Sequence, residues 1–211
     1  MVQTKEAVSF YTHLAGAPAF AAAAVFLSAK SFGDTGLFLS MLAYGVSAVF
    51  LFSASALYHA MKKREDEKSF YRKLDHLAIF FMIAGTYTPL CWAYLDGWWR
   101  AGILLAQWGL VLFGLFFKFF YLSAPRYLSV GVYVLMGWLA VIPAGQFYRA
   151  LPADMMALIL LGGLSYTAGA LIYGFKRPDP LPGRFGFHEI FHVLILAGAA
   201  LHFGAIASIP V

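Results

Sequence analysis

The segment His188-Glu189-Ile190-Phe191-His192 places two histidines four residues apart at the start of an almost uncharged hydrophobic stretch. On a helix, residues four apart lie on one face, about 6 Å apart along the axis, so both imidazoles can bind one metal ion. Ionisable side chains are costly inside a membrane helix and usually mark function there. The two histidines therefore indicate part of a metal site.

The composition indicates that the surroundings of this segment are a lipid bilayer. The 211-residue chain is 62% hydrophobic and only 12% charged, with a mean hydropathy of +0.75. A soluble domain carries about 25% charged residues. Several apolar runs reach roughly 18 to 24 residues, enough to cross about 30 Å of hydrocarbon. We therefore predict an all-α, polytopic membrane protein with a single domain over residues 1–211.

Seven apolar runs predict seven transmembrane helices, separated by turns with charge, glycine or proline. They cover residues 12–31, 37–60, 74–95, 102–122, 128–147, 155–175 and 188–209. Seven spans put the termini on opposite sides, and the side of the N-terminus receives twelve of the fifteen lysines and arginines. The positive-inside rule then predicts a cytoplasmic N-terminus and an outside C-terminus. The same topology accounts for the net charge of +5, so no nucleic-acid partner is needed.

In this topology, polar residues from three distant helices lie at one depth near the cytoplasmic end. Ser55 and His59 end the second helix, and Asp75 begins the third. His188 and His192 begin the seventh. Three histidine nitrogens with one open position form a common catalytic zinc site. Asp75 is then placed to hold a water or a histidine and Ser55 to hydrogen-bond nearby, while iron, copper and nickel remain open as alternatives to zinc.

The remaining histidines fit this site less well. His202 lies ten residues after His192, about 15 Å along the helix axis, so we expect a hydrogen-bonded histidine within the bundle. His76 points about 100° away from its neighbour Asp75. His13 opens the first helix at the same depth and is a candidate neighbour of the metal or of a substrate. Polar helix ends that bind headgroups or one another remain an alternative to the metal site.

The segment from His188 to His192 also matches H-E-x-x-H, in which a glutamate acts as general base of a metalloprotease. Such an intramembrane protease needs a distant acidic ligand, and the sequence offers only Asp75, which is better placed beside the water. Glu189 is turned about 100° from His188 around the helix. The protease is therefore the weaker alternative, and Glu189 is expected to face elsewhere or to stabilise the helix start.

The same residues resemble the haemolysin III family, the bacterial branch of the superfamily of adiponectin and membrane progestin receptors. The resemblance is carried by Ser55-Ala56-Leu57-Tyr58-His59, by Leu74-Asp75-His76-Leu77-Ala78-Ile79-Phe80 with the following Ala84-Gly85-Thr86-Tyr87-Thr88-Pro89, and by His188-Glu189-Ile190-Phe191-His192. It implies seven helices in a bacterial inner membrane and zinc near the cytoplasmic leaflet. It further implies His59, His188 and His192 as zinc ligands with Asp75 and Ser55 beside the water.

Three functions are compatible with these residues. The first is a ceramidase-like hydrolase of a lipid amide that enters from the bilayer, with Asp75 as general base and Ser55 as orienter or oxyanion donor. The resemblance to the haemolysin III family implies both the likeness to alkaline ceramidases and a role in membrane-lipid homeostasis. The second is a receptor or sensor in which zinc only joins helices. The third is a non-enzymatic structural or regulatory protein that responds to lipid order.

The topology can be tested with a reporter fused after Val211. Because twelve of the fifteen basic residues lie on the side of the N-terminus, an enzyme that is active only outside the cytoplasm should be active in this fusion. A reporter that is active only inside the cytoplasm should be inactive. The reverse pattern would show that the orientation is wrong.

Overall fold

The computed structural model describes residues 7–64, 67–120, 125–182 and 184–211, and these form eight α-helices. The helices are α1 (Ala7–Lys30), α2 (Thr35–Met61), α3 (Phe70–Tyr94), α4 (Gly97–Phe120), α5 (Arg126–Gly137), α6 (Ala144–Ala150), α7 (Ala153–Phe175) and α8 (Phe187–Ala207). A 3-10 turn, Leu139–Val141, lies between α5 and α6. Six helices are long and apolar enough to cross a membrane, and the α5–α6 pair makes a seventh if it is one bent span. The predicted all-α, polytopic architecture is confirmed.

The fifth segment differs from its prediction. We expected one continuous helix over residues 128–147, but the chain bends by 54° between the part ending at Val141 and α6. Pro143 lies at this bend, immediately before α6. A proline has no N–H to donate and its ring crowds the carbonyl four residues earlier, which favours a kink or a break in a helix. The fifth predicted span is therefore formed by α5 and α6 with a bend between them.

Local sequence explains where several helices begin and end. Asp34 precedes α2 and its carboxylate accepts a hydrogen bond from the Leu37 N–H at 2.9 Å. Ser69 caps α3 in the same way, by accepting from the Arg72 N–H at 3.3 Å. Such caps satisfy backbone donors that the first helical turn leaves without partners. At its C-terminus, α7 ends at Phe175, and the next residue, Lys176, has a left-handed backbone with φ of 56°.

Two helices that are distant in sequence, α1 and α8, run parallel. Near their first turns, the Ser9 hydroxyl donates to the Glu189 carboxylate at 3.4 Å. Near their last turns, the Lys30 Nζ donates to the carbonyls of Ala207 and Ile209 at 2.6 and 2.8 Å. These contacts place the first turns of α1 and α8 at one end of the bundle and Val211 at the other. Because α2 packs against α1, its last turn returns to the end where α8 begins.

Close packing around α2 depends on glycine at position 45. A Cβ atom added at Gly45 would lie only 2.4 Å from the Ala24 Cβ on α1 and 3.0 Å from its Cα. Small residues of this kind allow membrane helices to approach closely. Gly45 therefore sets the separation of α1 and α2, and with it the lateral position of the α2 side chains.

Gly45→Ala is expected to destabilise the protein by about 1–3 kcal/mol, because the added methyl must push two helices apart. Gly109→Ala is the matched control, since Gly109 is exposed on α4 and its added Cβ would meet nothing within 4 Å. This control should be neutral or slightly stabilising. Thermal unfolding of both variants in the same detergent tests the difference. Equal melting temperatures would contradict the proposed role of Gly45.

Candidate metal centre

Two helix ends carry the three histidines that come together in the structure. His59 lies in the last turns of α2 and is 1% exposed. His188 and His192 lie one turn apart in the first turns of α8, where His188 is half-buried and His192 is buried. The antiparallel path of α1 and α2 and the parallel path of α1 and α8 bring these two ends to the same depth.

The three imidazoles point their Nε2 atoms at a common point. The His188 Nε2 lies 3.4 Å from the His59 Nε2 and 3.1 Å from the His192 Nε2. One ligand nitrogen from each ring lies within 4.8 Å of the others. Three such nitrogens cannot all be satisfied by hydrogen bonds to one another, because a neutral imidazole carries only one N–H donor.

The spacing of these nitrogens fits a tetrahedral metal ion. Zinc binds histidine nitrogen at about 2.0 Å, so two nitrogens on a tetrahedral ion lie roughly 3.3 Å apart. The separations of the His188 Nε2 from the His59 and His192 Nε2 atoms, 3.4 and 3.1 Å, bracket that value. The donor set of three imidazoles suits zinc, and also iron, copper or nickel. His59, His188 and His192 can therefore hold one metal ion and leave a coordination position open.

Ser55 and Asp75, predicted to lie beside the metal, are neighbours of each other. Ser55 is buried one turn before His59 on α2, and its hydroxyl is hydrogen-bonded to the half-buried Asp75 carboxylate on α3. Asp75 is also close enough to His59 for their charges to interact. Asp75 and Ser55 face the same cavity as His188 and His192. The catalytic roles assigned to these two residues remain predictions.

Glu189 has a structural position at the start of α8. Its carboxylate accepts a hydrogen bond from the Gly186 N–H at 2.8 Å and one from the Ser9 hydroxyl at 3.4 Å. The first contact caps α8 and the second joins α8 to α1. Glu189 is thus turned to the helix start and to α1, as expected from its angular position, while the histidines face α2.

His13 lies closer to the metal ligands than its sequence position alone could establish. Its ring is buried and its centroid is 4.0 Å from that of His192. Within the described part of the chain, neither nitrogen of His13 nor the His192 Nδ1 has a hydrogen-bond partner. The His13 ring therefore packs against a ligand ring, has no hydrogen-bond partner among the described residues, and lines the same cavity as His188 and His192.

The other two histidines are separate from the cluster. The His202 Nε2 is hydrogen-bonded to the Ile159 carbonyl at 3.1 Å, which agrees with the prediction of a histidine bonded within the bundle. The His76 carbonyl accepts a hydrogen bond from the Tyr133 hydroxyl at 3.2 Å. Tyr173, which sequence analysis did not identify, packs its ring 5.6 Å from that of His188. A tyrosine within an apolar run offers no spacing signal that could have revealed this contact.

A cavity of about 760 Å³ opens beside the histidines. Much of its wall is aliphatic, with Ile83, Leu90 and Ile159 among the lining residues. Trp138, Val141 and Leu160 also line it, and each of these is exposed on the outer surface of the bundle. The cavity therefore extends from the histidines to the lipid-facing side of α5 and α7.

These observations define a multi-pass membrane protein with a three-histidine centre beside a largely apolar cavity. Residues 1–203 match the family model described as Haemolysin-III related, so the chain belongs to the haemolysin III family. The resemblance inferred from the sequence is thereby confirmed. The Hemolysin-3 homolog of Bacillus subtilis (strain 168) is 33% identical over 201 residues, which cover 94% of this chain and 91% of that relative.

Two further relatives extend the comparison. Hemolysin-3 of Bacillus cereus is 34% identical over 157 residues, or 74% of this chain and 68% of the relative. The Adiponectin receptor protein of Drosophila melanogaster is 28% identical over 225 residues, which cover 96% of this chain and 50% of that longer protein. The similarity thus includes both bacterial proteins and an animal receptor.

Replacing both His188 and His192 by Ala should remove metal binding, because a single imidazole remains at the site. His202→Ala should retain the metal, since His202 belongs to a separate hydrogen bond. Inductively coupled plasma mass spectrometry of the purified proteins should find about one zinc per chain in the wild type and in His202→Ala. Full zinc retention in the double variant would disprove the ligand assignment.

Proposed function

We propose that this protein is a zinc-dependent hydrolase of a membrane lipid amide that acts in lipid homeostasis in the bacterial inner membrane. The observation that carries the proposal is the placement of Asp75, Ser55, His188 and His192 on one cavity that reaches the lipid-facing surface. A metal site alone would serve a purely structural role, but a carboxylate and a hydroxyl on the same cavity supply the groups that hydrolysis requires.

His59, His188 and His192 would hold the ion, and the protein residues around them would transfer the protons. When bound, zinc supplies a Lewis acid that polarises a carbonyl and lowers the pKa of water to about 7. Asp75 takes up a proton from the attacking water and returns it to the leaving amine. The Ser55 hydroxyl, hydrogen-bonded to Asp75, keeps the carboxylate oriented toward the cavity.

The shape of the cavity supports a lipid as the substrate. Its volume of about 760 Å³ lies within the range of about 300–1,000 Å³ that is typical of small-molecule sites. Because Val141 and Leu160 line it and are also exposed, an acyl chain can enter sideways from the bilayer. The aliphatic wall excludes bulk water from the reacting bond, which strengthens the electrostatic interactions of Asp75.

The proposed orientation has the N-terminus in the cytoplasm and the histidine centre near the cytoplasmic leaflet. It is supported by the distribution of basic residues, because Arg72, Arg126 and Lys176 lie at the same bundle end as the histidines, whereas Lys30 and Arg100 lie at the other. In this orientation the reaction takes place at the cytoplasmic side of the inner membrane.

A zinc-stapled receptor or sensor is the second candidate function. One ligand comes from α2 and two from α8, so a bound ion joins the second and the last helix. The similarity to a protein named Adiponectin receptor protein favours this alternative as well. In that function, Asp75 and Ser55 would contribute only to packing and hydrogen bonding.

Asp75→Asn separates the two functions. An asparagine cannot take up a proton, so lipid-amide hydrolysis should fall by about 10²–10⁴-fold while zinc remains bound. Glu189→Gln is the matched control, because a glutamine oxygen can still accept the Gly186 N–H bond that caps α8. This variant should retain most activity. Release of fatty acid from a ceramide-type lipid in vesicles, measured together with zinc content, provides both readouts.

Two results would overturn the proposal. An essential Glu189, with Asp75 needed only for zinc retention, would favour the protease chemistry. A zinc-loaded wild type that cleaves no lipid amide or ester would leave the receptor or structural function in place.

A further inference from the structure

A second polar region of the cavity lies at its basic end and is not used by the histidine centre. Four cationic side chains line the cavity, Lys68, Arg72, Arg126 and Lys176. Asp75 is the single carboxylate among the described residues that line it. Among the described lining residues, positive charges therefore outnumber negative charges. These cations line a cavity, whereas most basic residues of a membrane protein extend outward into the headgroup region.

Within the described part of the chain, the side chain of each of the two arginines donates one hydrogen bond, to a backbone carbonyl. The Arg72 guanidinium donates to the Glu67 carbonyl at 3.1 Å, and that of Arg126 donates to the Tyr173 carbonyl at 3.3 Å. A guanidinium carries five N–H donors. Among the described residues, neither arginine donates a hydrogen bond to a carboxylate, although Asp75 is near enough to Arg72 for their charges to interact. Planar arrays of such donors suit carboxylate and phosphate oxygens.

A buried lysine adds positive charge behind this wall. Lys118 on α4 is 1% exposed, and its Nζ donates to the hydroxyl of Ser129, which lines the cavity. The same ammonium lies 5.0 Å from the centre of the Phe117 ring and 5.5 Å from that of Tyr133. No acidic side chain of the described residues pairs with it. Burying an ammonium is costly, and a nearby anion offsets that cost.

The acidic side chain of Glu67 does not compete with an anion for the two arginines. Glu67 is engaged elsewhere, because its carboxylate accepts hydrogen bonds from the Lys63 N–H at 3.0 Å and the Ser69 hydroxyl at 2.9 Å. Those bonds, led by the one from Lys63, lower the pKa of Glu67 below its ordinary value. The His76 Nδ1 is buried, has no partner among the described residues, and belongs to a residue of the cavity wall.

One aromatic ring joins this basic end to the metal centre. The Arg126 guanidinium lies 4.4 Å from the centre of the Tyr173 ring. On the other side, the Tyr173 and His188 rings are 5.6 Å apart. A group bound by Arg126 is thus held one tyrosine away from the histidine ligands, at the same end of the bundle.

We propose that the basic end of the cavity binds the anionic headgroup of a membrane lipid through Arg72 and Arg126, with Lys118 supplying further positive charge. The shared chemistry is a phosphate or carboxylate group. The aliphatic remainder of the cavity and its lipid-facing opening favour an anion that carries an acyl chain over a free anion. The inference deepens the proposed function by naming a substrate or ligand class, but binding itself requires no turnover.

The test measures lipid retained by the full-length protein in a neutral detergent, using native mass spectrometry. Wild type should retain phosphatidylglycerol in preference to phosphatidylcholine. Arg72→Gln and Arg126→Gln should each weaken this retention by roughly tenfold, as expected for loss of a charge-assisted hydrogen bond. Arg184→Gln is the matched control, because Arg184 is exposed and does not line the cavity. Inorganic phosphate is added in a separate arm.

The outcomes are separable from those for the metal centre. The His188→Ala/His192→Ala variant should lose zinc yet retain phosphatidylglycerol, and normal zinc content in the arginine variants would show that they are folded. Equal loss in Arg184→Gln would indicate general surface electrostatics and overturn the proposal. So would displacement of the lipid by millimolar inorganic phosphate, or equal retention of the neutral and anionic lipids.

Discussion

The constraint on which this structure depends is that polar groups inside a membrane protein must satisfy one another, because lipid offers them no partner. His59 and His188 are 129 residues apart in the chain, yet their Nε2 atoms lie 3.4 Å apart. Three imidazole nitrogens this close cannot complete their bonding among themselves. A shared cation would resolve the arrangement, and its binding free energy would then contribute to the free energy of folding. An ion held by these three histidines would also be a tertiary contact between the second helix and the last.

The rest of the bundle fixes where those nitrogens meet. Parallel packing of α1 and α8 is held at one end by Ser9 and Glu189 and at the other by Lys30. The first of these contacts lies within a turn of His188 and sets the axial position of the ligands. Close approach of α1 and α2 at Gly45 brings α2, which carries His59, against the same pair. The glutamate of the H-E-x-x-H pattern thus holds the start of α8, next to its neighbouring histidines, through hydrogen bonds to Gly186 and Ser9.

The convergence of the histidines could be predicted because the helical rise is constant. Once the spans are assigned, depth follows from residue number, and His59, Asp75, His188 and His192 fall at one level. Lateral proximity does not follow in this way, so the contact of His13 with His192 could not be derived from depth alone. The bend before α6 was missed because the run of apolar residues continues through Pro143, and hydropathy does not register a lost backbone donor. Lys118 is one of the twelve basic residues that the sequence places on the side of the N-terminus, whereas its inward orientation depends on helix packing.

Polarity in the cavity is arranged in three parts, and together they restrict what can bind. The histidines and Asp75 occupy one position, the cations around Arg126 lie one tyrosine ring away, and aliphatic residues line the path to the bilayer. An uncharged lipid leaves the cations without a partner, and a free anion leaves the aliphatic wall in contact with water. A molecule with both an anionic group and an acyl chain satisfies all of these surfaces at once. If the cations held its headgroup as proposed, the group presented to the histidine centre would be the one at a fixed distance from that headgroup, and headgroup recognition would then decide which bond of a substrate reaches the histidines.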